Sequence, residues 1–241
     1  MKKQIAVIGL GRFGMSLANT LYGMGHDVLA IDVDEKKIHS IASQITHAVQ
    51  ADATNETILK ELGIDGYDIA VVAIGTSVES SVLSTILLKK LEVPYVIARA
   101  DSDLHGSILE KIGADAVVYP EHEMGTRTAQ IVTLSYVWDY MSVTKGYGIA
   151  KLSAPEYLEG RSLSDVGFGP RGKWGVAVLL IQRAEEVIVT PGQGEVIKPY
   201  DALIVAGSDD KLERLLTEAR KSQQDGEKKA SVQNKKSTRR K

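Results

Sequence analysis

The chain of 241 residues contains no cysteine. That absence excludes a disulfide framework, thiolate catalysis and cysteine-ligated zinc. No apolar run reaches the roughly 18 residues that a membrane-spanning helix needs. The start, Met1-Lys2-Lys3 and an apolar stretch, has the basic end of a signal peptide. That stretch breaks at Gly9 and Gly11, however, and no small-residue cleavage site follows. A soluble, cytosolic protein is expected. The histidines, His26, His39, His47, His105 and His122, lack metal-ligand spacing, and none has an obvious Asp partner for hydride chemistry. There is no Gly-x-Ser-x-Gly elbow and no Gly-Lys-Ser/Thr phosphate loop. Tyr147 and Lys151 have the Tyr-x-x-x-Lys spacing of short-chain dehydrogenases, but Gly146 and Gly148 oppose the helix that pair requires. No internal repeat is found, and nothing points to a catalytic centre.

The length fits one large or two small domains, at roughly 150 residues each. Apolar residues make up 44% and charged residues 25%, the balance of an ordinary globular protein. The net charge of −2 is unevenly placed: residues 221–241 carry +6 and the other 220 carry −8. The tail holds too little apolar surface to order itself. A basic tail can meet nucleic acid or anionic lipid, but beside an acidic body it reads as a solvated appendage, and no nucleic-acid partner is expected.

Residues 4–119 alternate between short apolar runs and amphipathic stretches. QIAVIGL, DVLAID, THAVQA, DIAVVAIG, YVIARA and AVVYP read as six strands, with segments of helical spacing between them. Strands that are apolar throughout imply a parallel sheet covered on both faces, and right-handed crossovers then give a doubly wound α/β fold. Residues 121–141 read as one long helix, with Met124, Ala129, Ile131, Val132 and Leu134 as its apolar positions. Beyond it, IAKLS, VAVLLIQ, EVIVTP and ALIVAG read as strands. A short helix is expected in YLEGRSLSDVGF and a clear one in DDKLERLLTEAR. The expected organisation is a Rossmann-type domain over 1–140, a small α+β domain over 141–220 and the basic tail over 221–241.

The first strand runs into Gly9-Leu10-Gly11-Arg12-Phe13-Gly14, a G-x-G-x-x-G between a strand and a helix. Such glycines permit a tight turn, a close approach of backbone to phosphate, and close packing of helix on strand. The helix N-terminus then offers unpaired N–H groups to an anion. Asp32 ends the second strand, 21 residues beyond Gly11, where a carboxylate can accept both ribose hydroxyls and would repel a 2′-phosphate. Arg12 can fork onto phosphate oxygens, which suits a terminal di- or triphosphate. The loop Ala51-Asp52-Ala53-Thr54 lies beside the base in such a fold, although Asp52 or Thr54 also suits a helix N-cap with Glu56 nearby. Arg99 closes the fifth strand at the same sheet edge, where it can add a second phosphate cation. Glu121 follows the sixth strand, where it can hold a divalent cation or simply favour the first turn of a helix.

IAVIGLGRFG, LAIDVDEKKI, THAVQADATNE, VVAIG and IGADAVVYPEHEMG, in that order, resemble the amino-terminal RCK domain of bacterial potassium-transport regulators, of Ktr (KtrA-like) and more distantly Trk (TrkA-like) type. Residues 149–220 resemble the carboxy-terminal RCK domain less sharply, through Arg171-Gly-Lys-Trp-Gly175 and Pro199-Tyr-Asp-Ala-Leu-Ile-Val205. The resemblance implies a non-enzymatic gating subunit controlled by ATP or ADP, with NAD(H) a further candidate for the same cleft. It implies that Gly9, Gly11 and Gly14 hold phosphates, that Asp32 binds the ribose, that Asp52 and Ala53 lie near the adenine, and that Phe13, Val33, Thr54 and Gly75 also belong to the nucleotide site. Arg12 would reach a terminal phosphate, in this family that of a nucleotide in the adjoining subunit, and Arg99 stands where Ktr relatives carry lysine. Glu121 falls where the family holds Mg²⁺ or another cation between neighbouring nucleotides. Cyclic di-AMP at the C-domain, an octameric ring and a membrane potassium-translocating subunit (KtrB/TrkH-like) are further implications. The residues themselves leave an NAD-dependent oxidoreductase open as the alternative. Against it stand the missing acid–base pair and a second domain of only about 75 residues, half a typical domain.

Overall fold

A strand that is apolar along its whole length has to be covered on both faces, and helical crossovers supply that cover. The structure, a computed structural model, describes residues 1–133, 137–169, 172–215 and 217. It divides into two compact units, Met1–Glu123 and Met124–Lys241. The chain runs β1 (Gln4–Ile8), α1 (Arg12–Gly23), β2 (Asp27–Asp32), α2 (Glu35–Ile41), β3 (His47–Gln50) and α3 (Glu56–Glu61). It continues through β4 (Ile69–Val72), α4 (Val78–Lys90), β5 (Tyr95–Arg99), α5 (Asp103–Lys111), β6 (Ala116–Val118) and α6 (Pro120–Thr133).

The six strands form one parallel sheet in the order β3-β2-β1-β4-β5-β6. Adjacent residues of a strand point to opposite faces, and Val7 and Ile8 are both buried. Val7 packs with Ala18, Val28, Ile38 and Ile41 under α1 and α2. Ile8 packs with Leu59, Leu88 and Leu109 under α3, α4 and α5. The strand order reverses between β1 and β4, which are hydrogen-bonded neighbours. A crevice opens at the carboxyl ends of the strands at such a reversal.

The second unit is a five-stranded antiparallel sheet in the order β10-β9-β11-β8-β7. Its elements are β7 (Val137–Thr144), β8 (Tyr147–Ser153), α7 (Leu163–Val166), β9 (Ala177–Arg183), β10 (Glu186–Val189) and β11 (Ala202–Ser208). A 3-10 turn at Glu156–Leu158 precedes α7, and residues 209–215 are helical. Leu152, Ile181 and Leu203 from the sheet share a core with Leu163, Leu212 and Leu215.

The single helix expected over 121–141 is corrected here: α6 ends at Thr133, and residues 137–144 are strand β7. β7 pairs with β8 across the two-residue turn Lys145-Gly146, where Gly146 has φ +79°, a conformation open to glycine. Val137, Trp138, Tyr140 and Val143 are β-branched or aromatic and fit a pleated, half-buried surface. Hairpin pairing therefore overrides the helical spacing. Of the expected helix positions, Met124 and Val132 are exposed, and Leu134 lies outside the described residues, as do Arg171 and the basic tail 221–241.

The Tyr140 hydroxyl donates to Asp209 Oδ1 at 2.5 Å, tying β7 to the helical segment. Burial, then the Asp209 carboxylate, push the phenol up to about 12. A phenol raised in the folded state stabilises the fold fully below its unfolded value near 10, and loses that contribution as pH rises through the folded value. Tyr140→Phe should lower stability at neutral pH by about 1 kcal/mol. Urea unfolding at stepped pH should also show less loss for the variant than for the parent between about pH 10 and 12. Parallel alkaline curves would mean that the phenol carries none of the pH dependence.

Candidate functional site

Twelve of the thirteen residues expected around a nucleotide line one crevice of about 750 Å³ at the carboxyl edge of the parallel sheet. Gly9, Gly11, Arg12 and Phe13 reach it from the turn after β1, Asp32 and Val33 from β2, and Asp52, Ala53 and Thr54 from the loop after β3. Gly75 follows β4, Arg99 ends β5, and Glu121 stands in the first turn of α6. The exception is Gly14, which is buried on α1 and does not line the crevice.

The three glycines of the turn have different reasons to be glycine. Gly9 sits at φ +94° and donates its N–H to the Ile31 carbonyl at 2.7 Å. A Cβ on Gly14 would lie 1.9 Å from the Gly9 carbonyl oxygen, so Gly14 sets how closely α1 seats against β1. Gly11 has no such constraint. It is the N-cap of α1 at φ −68°, and a Cβ there would meet nothing within 4 Å. It also makes no side-chain cap, and the first turn of α1 holds no acidic residue. The leading N–H groups of a helix have no intrahelical acceptor, and here no side chain of the cap supplies one. Gly11 lines the crevice, and a Cβ there would stand in open space.

Asp32 is buried at 7% exposure and held by four contacts. The Leu10 N–H donates to its Oδ2 at 2.6 Å and the Asp34 N–H to its Oδ1 at 2.9 Å. The Lys37 ammonium lies 3.2 Å from Oδ2 and 3.4 Å from Oδ1. Burial pushes this carboxyl up, but the two N–H donors and Lys37 outweigh it and leave the group below its ordinary value. It is a fixed anion at neutral pH.

Asp52 Oδ1 accepts the Thr54 N–H at 2.9 Å and the Thr54 hydroxyl at 2.7 Å, and both lower its pKa. Neither residue caps α3; that role falls to Asn55, whose Oδ1 accepts from Thr57 N–H at 2.9 Å. Arg99 pairs with Glu121 through two contacts, Nη2 to Oε1 at 2.6 Å and Nε to Oε2 at 3.3 Å. Gly75 makes room for that guanidinium, since a Cβ there would lie 2.0 Å from Arg99 Nη1. Arg12, by contrast, is exposed and has no carboxylate partner among the described residues.

The sequence reading missed Lys37, Thr76, Ser77 and Ser80, which also line the crevice. Ser77 caps α4 by accepting the Ser80 N–H at 3.1 Å. Only that cap, a Ser three residues ahead of another, had a recognisable local signal. Among the described residues no group of three or more His, Asp or Glu side chains could hold a metal ion. Tyr147 and Lys151 fall on strand β8 rather than one helical turn apart.

Residues 5–120 match the TrkA-N domain and residues 149–219 the TrkA-C domain. The chain is 39% identical over 216 residues to the Ktr system potassium uptake protein A of Bacillus subtilis (strain 168), covering 90% of this chain and 96% of that one. It is 41% identical over 208 residues to the Ktr system potassium uptake protein C of the same organism, covering 86% and 93%. Among solved structures, the GsuK RCK domain superposes with a TM-score of 0.62 at 18% identity, over 90% of this chain and 48% of that one. The GsuK channel bound to NAD gives 0.60 at 17% identity, over 89% and 39%. At such identity the likeness is one of fold, and this chain spans less than half of those chains.

The glycine geometry separates fold from ligand. Gly14→Ala should lower stability by about 2 kcal/mol, because its Cβ overlaps a backbone carbonyl that cannot swing aside. Gly11→Ala, which exchanges one N-cap residue for a poorer one in open space, should cost no more than about 1 kcal/mol. Urea unfolding of both variants checks this, and equal losses would remove the distinction between the two glycines.

Proposed function

We propose, given that the chain belongs to the family of Ktr potassium uptake proteins built from TrkA-N and TrkA-C domains, that it is a non-catalytic regulatory subunit gated by an adenine nucleotide. One observation carries the reading. Gly11 opens α1 with no side-chain cap, a Cβ there would meet nothing within 4 Å, and Gly11, Arg12 and Phe13 line the open crevice. A phosphate is the ligand such a terminus suits. Asp32 supports it as an anion fixed where ribose hydroxyls can donate.

ATP and ADP would share this crevice and differ at the terminal phosphate, and NAD(H) is the dinucleotide candidate. Arg99 is neutralised by Glu121, so Arg12 is the cation left to respond to the extra charge of ATP. A ligand shifts a two-state assembly only through its differential affinity for the two states. Gating would thus follow from contacts that the terminal phosphate makes in one state and not in the other. Glu121 could join a Mg²⁺ or similar cation only if phosphate oxygens completed the ligand set and Arg99 let go. The proposed setting is an octameric ring on the cytoplasmic face of a KtrB/TrkH-like potassium-translocating subunit. No helix among the described residues is long and apolar enough to cross a membrane, so translocation would belong to that partner. Cyclic di-AMP at the second unit would involve Arg171, outside the described residues.

Calorimetric titration tests this. ADP should bind the parent, and Gly11→Ala should weaken it at least about tenfold, since its Cβ occupies the space of the phosphate. Arg12→Ala should bring the ATP/ADP affinity ratio towards one while ADP binding is largely kept. If Gly11→Ala bound ADP as the parent does, this turn would not be a phosphate site.

A further inference from the structure

The carboxylate best placed to receive a ribose is already engaged. A carboxylate offers about four lone-pair directions over its two oxygens. On Asp32 each oxygen spends one on a backbone N–H, from Leu10 and from Asp34. Lys37 Nζ straddles the remaining two, at 3.2 and 3.4 Å. The lysine lies in the first turn of α2, with a side chain 41% exposed, and both partners line the crevice. A ribose presents two adjacent hydroxyls, and donating both to Asp32 needs the directions that the ammonium holds. A single hydroxyl needs only one of them.

On the reading of this crevice as a nucleotide site, we propose that Lys37 is a specificity-determining residue that acts as an internal stand-in for the ribose diol. A ribonucleotide must move the ammonium off both carboxylate oxygens. A 2′-deoxyribonucleotide, with only its 3′-hydroxyl to donate, can leave the ammonium on one of them. Lys37 thereby subtracts from the preference for the 2′-hydroxyl that Asp32 would otherwise confer. The released ammonium returns to solvent, which its half-exposed stem allows.

The test is a ratio, which cancels whatever Lys37 does to phosphate binding through its charge. Dissociation constants for ADP and 2′-deoxy-ADP are measured by calorimetry on the full chain, for the parent, Lys37→Met and Lys37→Arg. In Lys37→Met the 2′-deoxy-ADP/ADP ratio should rise about threefold, the scale of a half-exposed ion pair. Lys37→Arg, which keeps a cation on Asp32, should leave the ratio near that of the parent. A ratio unchanged or lowered in Lys37→Met overturns the role of Lys37 while leaving the nucleotide site standing. Failure of the parent to bind either nucleotide overturns both.

Discussion

The contact between Gly14 and the Gly9 carbonyl fixes how α1 leaves the sheet, and the rest of the crevice depends on it. With no side chain at position 14 the helix can begin almost against the end of β1. Its N-terminus then opens at the reversal of strand order, where β1 and β4 lie side by side. Gly11 caps that helix without a side chain and its first turn holds no acid, so no side chain of the helix itself offsets the partial positive charge of the terminus. The parallel sheet and its two hydrophobic faces hold this arrangement rigid, because Val7 and Ile8 anchor β1 from opposite sides.

Around that terminus four of the charged groups are arranged in two pairs. Asp32 is matched by Lys37, and Arg99 by Glu121. Paired charges contribute little net field, so the helix terminus, Arg12 and the Asp52 carboxylate, which Thr54 holds without a cation, define the electrostatic character of the crevice. Such a site distinguishes ligands chiefly by phosphate charge and by what they must displace. Differences of this kind are what a gating subunit needs, since binding strength common to both states shifts nothing.

Most of the fold is legible in the chain because parallel strands buried on both faces leave uninterrupted apolar runs, as in IAVI and LAID. The turn residues are legible too, since glycine spacing and an acid at the end of β2 are local patterns. What escaped depends on contacts between distant residues. Arg99 and Glu121 are 22 positions apart and meet only because β5 and β6 are neighbours. Lys37 reaches Asp32 from the next helix, a spacing with no motif of its own. The part of β7 up to Met141 falls within the helix expected over 121–141, and its pairing with β8 is what makes it a strand. Gly14 also serves packing, since a Cβ there would overlap the Gly9 carbonyl.

The central claim is that the leading N–H groups of α1 receive a nucleotide phosphate. Amide hydrogen exchange read by mass spectrometry on peptides covering Gly11–Met15, with and without saturating ADP, tests it most directly. Exchange of the Arg12, Phe13 and Gly14 amides should slow on ADP addition, and at an ADP concentration near the parent's dissociation constant it should slow much less in Gly11→Ala. ADP binding that protects other segments and leaves this turn unchanged would contradict the account.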